Sequence, residues 1–155
     1  MTDYSLLTPS EKFYYQLQKG EKYEFELLKH IPHYKFSKMN GNFKEYDLKI
    51  YHTKNRYNLY EVKTDYQIHK TGNIAIEFSC NFKPSGISTS TARYWAIFET
   101  NDEGYTLYII PRSIINKKIY NREYHKTVNG GDNNASKLFL FDKKIFEKYI
   151  IYKNI

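Results

Sequence analysis

The sequence has little of what cross-links a chain or spans a bilayer. Cys80 is its only cysteine, which excludes an internal disulfide framework and a zinc site built from several cysteines. No apolar run approaches the roughly 20 residues of a transmembrane helix. The first residues, MTDYSLLTPSEK, lack the basic-then-apolar pattern of a signal peptide. We therefore expect a soluble protein of the cytoplasm or another intracellular compartment, without a membrane partner.

Glycine and proline are also scarce, at 7 and 4 of 155 residues, and no repeat or low-complexity tract interrupts the chain. Hydrophobic residues make up 41% and aromatic residues 18% of the chain, which excludes a disordered, collagenous or coiled-coil protein. The length fits one domain of about 100–200 residues. We expect a single domain over residues 1–155.

Arginine is scarcer than the charge of the protein suggests. The net charge is +7, and such a balance favours a polyanionic partner because lysine and arginine neutralise phosphates. However, only 4 of the 24 basic residues are arginine, the side chain best suited to bidentate phosphate binding. Charge alone therefore gives modest support for nucleic acid as the partner.

A helix is predicted for the first part of the chain. Thr8-Pro9-Ser10-Glu11 has the pattern of a capping box with proline at the first helical position. We expect Gly20 to break or kink this helix and Ile31-Pro32 to end it. The residues expected on its apolar stripe are Phe13, Leu17, Phe25 and Leu28.

Two short segments with alternating polarity predict a β-hairpin. Apolar residues alternate with charged ones in EYDLKIY, from Glu45, and in YNLYEVK, which ends at Lys63. If Tyr51 pairs with Tyr57, Leu48 faces Tyr60 and Tyr46 faces Val62 on the core side. Asp47 then faces Glu61 on the other side, which we expect to be exposed, and Lys63 projects from that same face.

The rest of the chain predicts an α/β protein with a central mixed β-sheet flanked by helices. A third alternating strand has its apolar side at Ile74, Ile76, Phe78, Cys80 and Phe82. A short helix is expected near Ser88, two strands at YWAIFE and YTLYII with a turn at residues 101–104, and a helix after Pro111. Residues 129–134 are expected to form a flexible loop, and Asp142 to cap a final helix carrying Ile145, Phe146, Tyr149 and Ile150.

The hairpin residues form a coherent chemical unit. Opposed strand residues have Cβ atoms roughly 4.5–5.5 Å apart, so Asp47 and Glu61 could share a divalent ion such as Mg²⁺, which prefers oxygen ligands. Lys63 could orient or deprotonate a water beside that ion. A solvated ladder of salt bridges explains the same spacing equally well.

Asp47 followed by Glu61-Val62-Lys63 resembles the D…(D/E)xK signature of the PD-(D/E)XK nucleases. The preceding KGEKYE and LL, at residues 19–24 and 27–28, are similar to the opening helix of archaeal Holliday junction resolvases, and TGNIAIEF…KPSGISTSTARYWAIF resembles small phage-type members. The likeness covers residues 19–115, although Tyr46 stands where the name-giving proline would be.

This resemblance implies a restriction-endonuclease-like core and a nuclease that hydrolyses DNA phosphodiester bonds with Mg²⁺ or Mn²⁺. It implies catalytic roles for Glu24, Asp47, Glu61 and Lys63. The metal would be bound by Asp47, Glu61 and the Val62 carbonyl. A Holliday junction resolvase needs two active sites for its symmetric cuts, so a homodimer would favour that subclass.

Further candidates come from the third strand and the loop after it. Glu77 lies on the polar side of the strand and is either an extra ligand or a solvated charge. The loop combines cations and hydroxyls at a helix start, an arrangement suited to phosphate or to ordinary capping. Its predicted DNA contacts are Lys83, Ser85, Ser88 and Arg93. The functional alternative is a non-catalytic nucleic-acid-binding module with the nuclease fold.

Overall fold

The structure is a computed structural model that describes residues 6–39 and 45–155. The strands, in chain order, are β1 (Lys35–Lys38), β2 (Leu48–Tyr51), β3 (Tyr57–Asp65), β4 (Asn73–Cys80), β5 (Lys83–Pro84), β6 (Tyr94–Thr100), β7 (Tyr105–Pro111), β8 (Lys126–Gly130), β9 (Ser136–Asp142) and β10 (Ile150–Lys153). The α-helices are α1 (Pro9–Leu28), α2 (Ile68–Thr71) and α3 (Arg112–Tyr120), and 3₁₀ helices span Gly86–Ser88, Asp132–Asn134 and Lys143–Tyr149.

The protein is mixed α/β, as the sequence predicts, but its strands form two sheets. The first sheet has six strands in the order β1-β2-β3-β6-β7-β10, and it is mixed because β3 and β6 run parallel. The second has four antiparallel strands in the order β5-β4-β9-β8. The third predicted strand, β4, therefore pairs with β9 rather than joining the hairpin strands.

Helix α1 begins as predicted and ends earlier. The Thr8 hydroxyl accepts from the Glu11 N–H at 3.3 Å and the Glu11 carboxylate accepts from the Thr8 N–H at 2.8 Å, so the capping box is confirmed. The helix continues through Gly20 and ends at Leu28. Its buried residues include Tyr23 and Leu27, whereas Phe25 is 52% exposed; the side chains of Phe13 and Leu17 lie outside the described residues.

The register of the β2–β3 hairpin is confirmed. Leu48 pairs with Tyr60 and Tyr51 with Tyr57, and Leu48 and Ile50 are buried. Regular pairing ends at Leu48, however, so Asp47 is not a ladder partner of Glu61. Tyr46 was expected beside Leu48, but it packs on the other side of the sheet because the chain bends at Asp47.

Both faces of β3 are covered. On one face, Tyr60 and Val62 pack in a core with α1. On the other, Leu59 packs in a second core that includes Ile76 and Phe141 of the four-stranded sheet. The face that carries Glu61 was expected to be exposed, yet Glu61 retains only 8% of its accessible surface because the second sheet lies over it.

In the second half of the chain, β6, β7, the turn between them and α3 are present as predicted. Residues 129–134 do not form a flexible loop, because they end β8 and enter a 3₁₀ helix. Asp142 caps the following helix by accepting from the Lys144 N–H at 3.0 Å, but that helix is 3₁₀ and Ile150 begins β10. None of the helices in the described ranges is both long and apolar enough to cross a membrane.

The apolar side of β4 also ends earlier than expected. Ile74 and Ile76 are buried, but Phe82 is 96% exposed. Cys80 pairs with Lys83, so Asn81 and Phe82 form a two-residue turn between β4 and β5. Both turn residues have positive φ, 50° and 62°, as a type I′ turn requires.

Candidate active site

Three predicted catalytic residues meet at the β2–β3 hairpin. The Val62 N–H donates a hydrogen bond of 2.7 Å to Asp47 Oδ2, which fixes that carboxylate against β3. Lys63 Nζ lies 3.0 Å from Glu61 Oε1. Glu61 and Lys63 are two residues apart on one strand, so their side chains project from the same face. The hairpin therefore holds two carboxylates and one ammonium group as a unit.

Burial raises the pKa of both hairpin carboxylates. Burial raises the pKa of Asp47, and the Val62 N–H and the charges of Lys63 and Lys38 offset part of this increase. Burial also raises the pKa of Glu61, with a further increase from Asp47 and an opposing effect of Lys63. Two acids that resist ionisation at a shared site favour a bound cation, which removes their mutual repulsion.

Lys63 is held in its charged form. Burial lowers its pKa, but Glu61, Asp47 and Glu77 more than compensate, and the pKa of Lys63 is raised overall. The ammonium also lies 5.8 Å from the centroid of the Trp95 ring, within cation–π range. Trp95 is itself fixed by donating from Nε1 to Ser90 Oγ at 3.1 Å. A lysine with these neighbours is suited to stabilising negative charge rather than to removing a proton.

Glu24 reaches the edge of this site from α1. Lys38 Nζ lies 3.1 Å from Glu24 Oε2 and 3.2 Å from Glu21 Oε1. Glu24 is largely buried, which raises its pKa, and it also interacts electrostatically with Asp47. Lys38 in turn lowers the pKa of Asp47. The structure therefore brings Glu24 near Asp47, with a lysine that interacts with both.

Sequence reasoning missed Lys38 and Trp95. Lys38 lies on β1, whose four residues, KFSK, are too short to show a strand pattern. It is brought to the site because β1 pairs with β2, with Lys38 opposite Leu48. Trp95 is the parallel neighbour of Glu61 across β3 and β6. The only available signal was the presence of a single tryptophan in the chain.

Glu77 enters from the second sheet. Ser85 Oγ donates to Glu77 Oε2 at 3.0 Å, and Ser136 Oγ donates to Glu77 Oε1. Strand pairing shifts by one residue just after Glu77, an irregularity that re-aims side chains. Because its charge acts on both Glu61 and Lys63, Glu77 belongs to the same site, with both of its oxygens already hydrogen-bonded.

The donor set suits a small hard cation that keeps most of its waters. The hydrogen bond from Val62 and the Lys63 ion pair occupy one oxygen of each carboxylate, which leaves Asp47 Oδ1 and Glu61 Oε2 available among the described contacts. No group of three or more acidic, histidine or cysteine side chains positioned to hold a metal is found within residues 6–39 and 45–155. Mg²⁺ is typically bound by one or two carboxylates together with waters and substrate phosphates.

A second buried carboxylate provides a contrast. Glu99 retains 2% of its accessible surface, and both of its oxygens are paired. Lys143 Nζ lies 2.7 Å from Oε1, and the Tyr108 hydroxyl donates to Oε2 at 2.9 Å. The oxygens of Glu99 are thus fully paired within the protein, whereas Asp47 and Glu61 each have one oxygen without a protein partner among the described contacts.

The predicted DNA contacts are dispersed. The Ser85 hydroxyl is bonded to Glu77 and the Ser88 hydroxyl donates to the Phe78 carbonyl at 2.8 Å, so both serve the fold. Lys83 lies in a groove beside the β4–β5 turn. Arg93 lines a different groove, at the β2–β3 loop, where its Nη1 donates to Asn58 Oδ1 at 3.3 Å. Contacts from Lys83 and Arg93 to DNA stay predictions.

The site thus pairs Glu61 with Lys63 and places Asp47 against the intervening Val62 N–H, with Glu24, Lys38 and Glu77 around them. Comparison of the chain with protein families, with curated proteins and with solved structures finds no match in any of the three.

Proposed function

We propose that this protein is a metal-dependent DNA endonuclease that hydrolyses phosphodiester bonds, with Asp47, Glu61 and Lys63 as its catalytic residues. The observation that supports it best is the hairpin itself. It holds a half-buried carboxylate, Asp47, and a buried one, Glu61, each with one oxygen free of protein partners among the described residues, and sets an ammonium 3.0 Å from Glu61.

The surrounding architecture is compatible with the restriction-endonuclease-like core that the D…ExK resemblance implies. The hairpin lies within a mixed sheet, and α1 packs on one face of that sheet and carries Glu24. The net charge of +7 suits a polyanionic substrate. Selectivity for a four-way junction, and the homodimer that symmetric cleavage would need, belong to this proposal as its finer form.

Asp47 and Glu61 would hold the metal, with the Val62 carbonyl as the third protein ligand. Mg²⁺ or Mn²⁺ bound there would polarise the scissile phosphate and lower the pKa of an attacking water. Lys63, which stays protonated, orients that water and stabilises the negative charge that develops on the phosphate oxygens. Glu24 and Lys38 lie at the edge of the site, where Glu24 can accept a hydrogen bond from a water.

Cleavage of supercoiled plasmid is the direct test. The wild-type protein should nick it with Mg²⁺ or Mn²⁺ and be inactive with EDTA. Asp47→Asn and Glu61→Gln should each lower the rate by about 100-fold or more, as removal of one electrostatic catalytic group commonly does. Glu103→Gln, in an exposed turn at the far end of β6, is the matched control. Wild-type rates in both site variants, with folding verified by circular dichroism, would refute the proposal.

A variant of Lys63 distinguishes a role in catalysis from a role in DNA binding. Lys63→Ala should reduce the cleavage rate by about 100-fold and change DNA affinity little, because its charge acts in the transition state. Lys83→Ala, at an exposed position away from the hairpin, should do the reverse. Equal losses of affinity and rate in Lys63→Ala would assign Lys63 to DNA binding.

The alternative, a non-catalytic nucleic-acid-binding module, is favoured by one observation. The Glu61–Lys63 ion pair is complete without a metal, as a retained structural contact would be. This module would bind DNA equally well with Mg²⁺ or with EDTA and would leave plasmid intact under both conditions.

A further inference from the structure

The turn between β4 and β5 carries an aromatic residue in an unfavourable conformation. Two-residue type I′ turns favour Asn-Gly because both residues need positive φ. Here the first residue is Asn81, but the second, with φ of 62°, is Phe82. A bulky side chain in this region of φ is uncommon and strained. Glycine would satisfy the turn better.

The fold gains no packing in return. Phe82 is 96% exposed, the highest fraction among the large hydrophobic residues in the described part of the chain. Backbone strain that brings no packing energy commonly marks a binding site. An aromatic ring on a short, hydrogen-bonded hairpin is also pre-positioned, since few side-chain torsions remain to be fixed on binding.

The surroundings of Phe82 are cationic. Its ring borders a groove that is also lined by Phe78 and Pro84 and flanked by the exposed side chains of Lys83 and Lys137. No acidic residue lines this groove in the described ranges. The groove therefore combines a free aromatic face with two positive charges, which complements a base next to its phosphates.

We propose that Phe82 stacks on an unpaired base of DNA while Lys83 and Lys137 bind the adjacent phosphates. Stacking on an aromatic ring needs a base whose face is free, which base pairs inside a duplex do not offer. This inference rests on the proposed function and gives it a substrate class: DNA with single-stranded or branched segments.

The β4–β5 hairpin that carries Phe82 leads directly to the candidate active site. Strand β4 carries Glu77 to that site, and Phe82 follows five residues later on the same hairpin. Because the last two of these residues form the turn, Glu77 and Phe82 are at most roughly 17 Å apart, the span of five fully extended residues. One DNA strand of a few nucleotides can therefore contact both the catalytic carboxylates and the Phe82 ring.

Binding without metal tests the inference separately from cleavage. Fluorescence anisotropy in EDTA would compare a labelled single strand of about 15 nucleotides with the blunt duplex of the same sequence. Phe82→Gly should weaken single-strand binding about tenfold and leave duplex binding nearly unchanged. Phe82→Trp should bind like the wild type. Tyr34→Ala, which removes another exposed aromatic ring outside this groove, is the matched control.

Three further readouts make the result specific. Emission from a 2-aminopurine base in the single strand should be quenched by the wild type and not by Phe82→Gly. The Phe82→Gly protein should be at least as heat-stable as the wild type, because glycine relieves the turn. Lys137→Ala should reduce the slope of log affinity against log salt by about one, whereas Phe82→Gly should keep that slope.

Unchanged single-strand affinity in Phe82→Gly, or equal losses on both DNAs, would overturn the inference. So would a wild-type dimer that dissociates in Phe82→Gly, since the ring would then be occupied by a second copy of the chain. If the protein cleaves DNA but Phe82→Gly does not change single-strand affinity, only the stacking inference is wrong. If it binds single strands through Phe82 but does not cleave DNA, only the proposed endonuclease activity is wrong.

Discussion

At Glu61 a carboxylate is buried beside a second acid and a lysine. Lys63 compensates only part of the cost of that burial, because the pKa of Glu61 is raised overall. Burial of Glu61 therefore destabilises the fold, whereas under the proposed function the same carboxylate binds the metal. This trade-off is typical of functional sites, where groups that destabilise the fold are retained for their chemistry.

The pH dependence of stability should reveal this cost. A carboxyl whose pKa is raised in the folded state contributes stability below its unfolded pKa, and this contribution is lost as the pH rises through the folded pKa. Glu61→Gln cannot ionise. We therefore expect it to melt above the wild type near pH 8, with the difference disappearing toward about pH 4.

Melting curves across that pH range, recorded in EDTA, provide the measurement. Glu103→Gln removes an exposed carboxyl and should follow the wild type at every pH. A Glu61→Gln protein that melts below the wild type at high pH would mean that the Lys63 ion pair outweighs the burial of Glu61.

At the scale of elements, the 3₁₀ turn at Gly86–Ser88 packs closely on the backbone of β4. A Cβ added to Gly86 would lie 2.3 Å from the Glu77 carbonyl oxygen, and the φ of Gly86 is +54°. The turn thus presses on β4 at the residue that faces the candidate site. Ser85, one residue earlier, adds its hydrogen bond to the Glu77 carboxylate.

Gly86→Ala should therefore destabilise the protein by about 1–3 kcal/mol. The causes are the positive φ, which is strained for alanine, and the clash of its Cβ with the Glu77 carbonyl. Gly20→Ala is the matched control with the opposite sign. Gly20 lies within α1 with no atom within 4 Å of an added Cβ, so alanine should stabilise the protein by about 0.5–1 kcal/mol. Urea unfolding with unchanged m-values would measure both, and equal midpoints for the two variants would refute the prediction.

Strand β4 could be predicted from the sequence, but its partner strand could not. Its alternation identifies a strand because the period of two is local, and the structure has that strand at Asn73–Cys80. The partner of β4 is β9, with Ile74 opposite Phe141. Nothing within β4 encodes a partner so far along the chain, so the second sheet and the burial of Glu61 beneath it were not predicted.

For the molecule as a whole, positive charge is spread over separate surfaces. Lys83 and Arg93 line different grooves, one beside the β4–β5 turn and one at the β2–β3 loop. If DNA follows both surfaces, the two residues contribute independent phosphate contacts. Lys83→Ala and Arg93→Ala should each reduce the slope of log affinity against log salt by about one, and the double variant by about two.

Salt titrations of DNA binding at several ionic strengths would check this, with Lys54→Ala at the exposed β2–β3 loop as an additional probe of that surface. An unchanged slope in Arg93→Ala alone would confine the DNA to the Phe82 side. Unchanged slopes in both single variants would remove both grooves from the DNA path.

The sequence by itself determined the features that depend on neighbours along the chain. The capping box of α1, the β2–β3 register and the turn between β6 and β7 follow from residues a few positions apart. The approach of Asp47 to β3 follows only in part: the register brings it beside that strand, but regular pairing ends at Leu48, and the bonded partner of Asp47 is the Val62 N–H rather than a cross-strand Glu61.

Only the tertiary structure decided what surrounds those acids. Lys38 arrives through β1, Trp95 through the parallel pairing of β6, and Glu77 through the second sheet. These contacts join distant segments, and they turn an expected exposed face into a buried one. Burial raises the pKa of the acids and the carboxylates keep Lys63 charged, so the chemistry of the site is set by packing that no local pattern records.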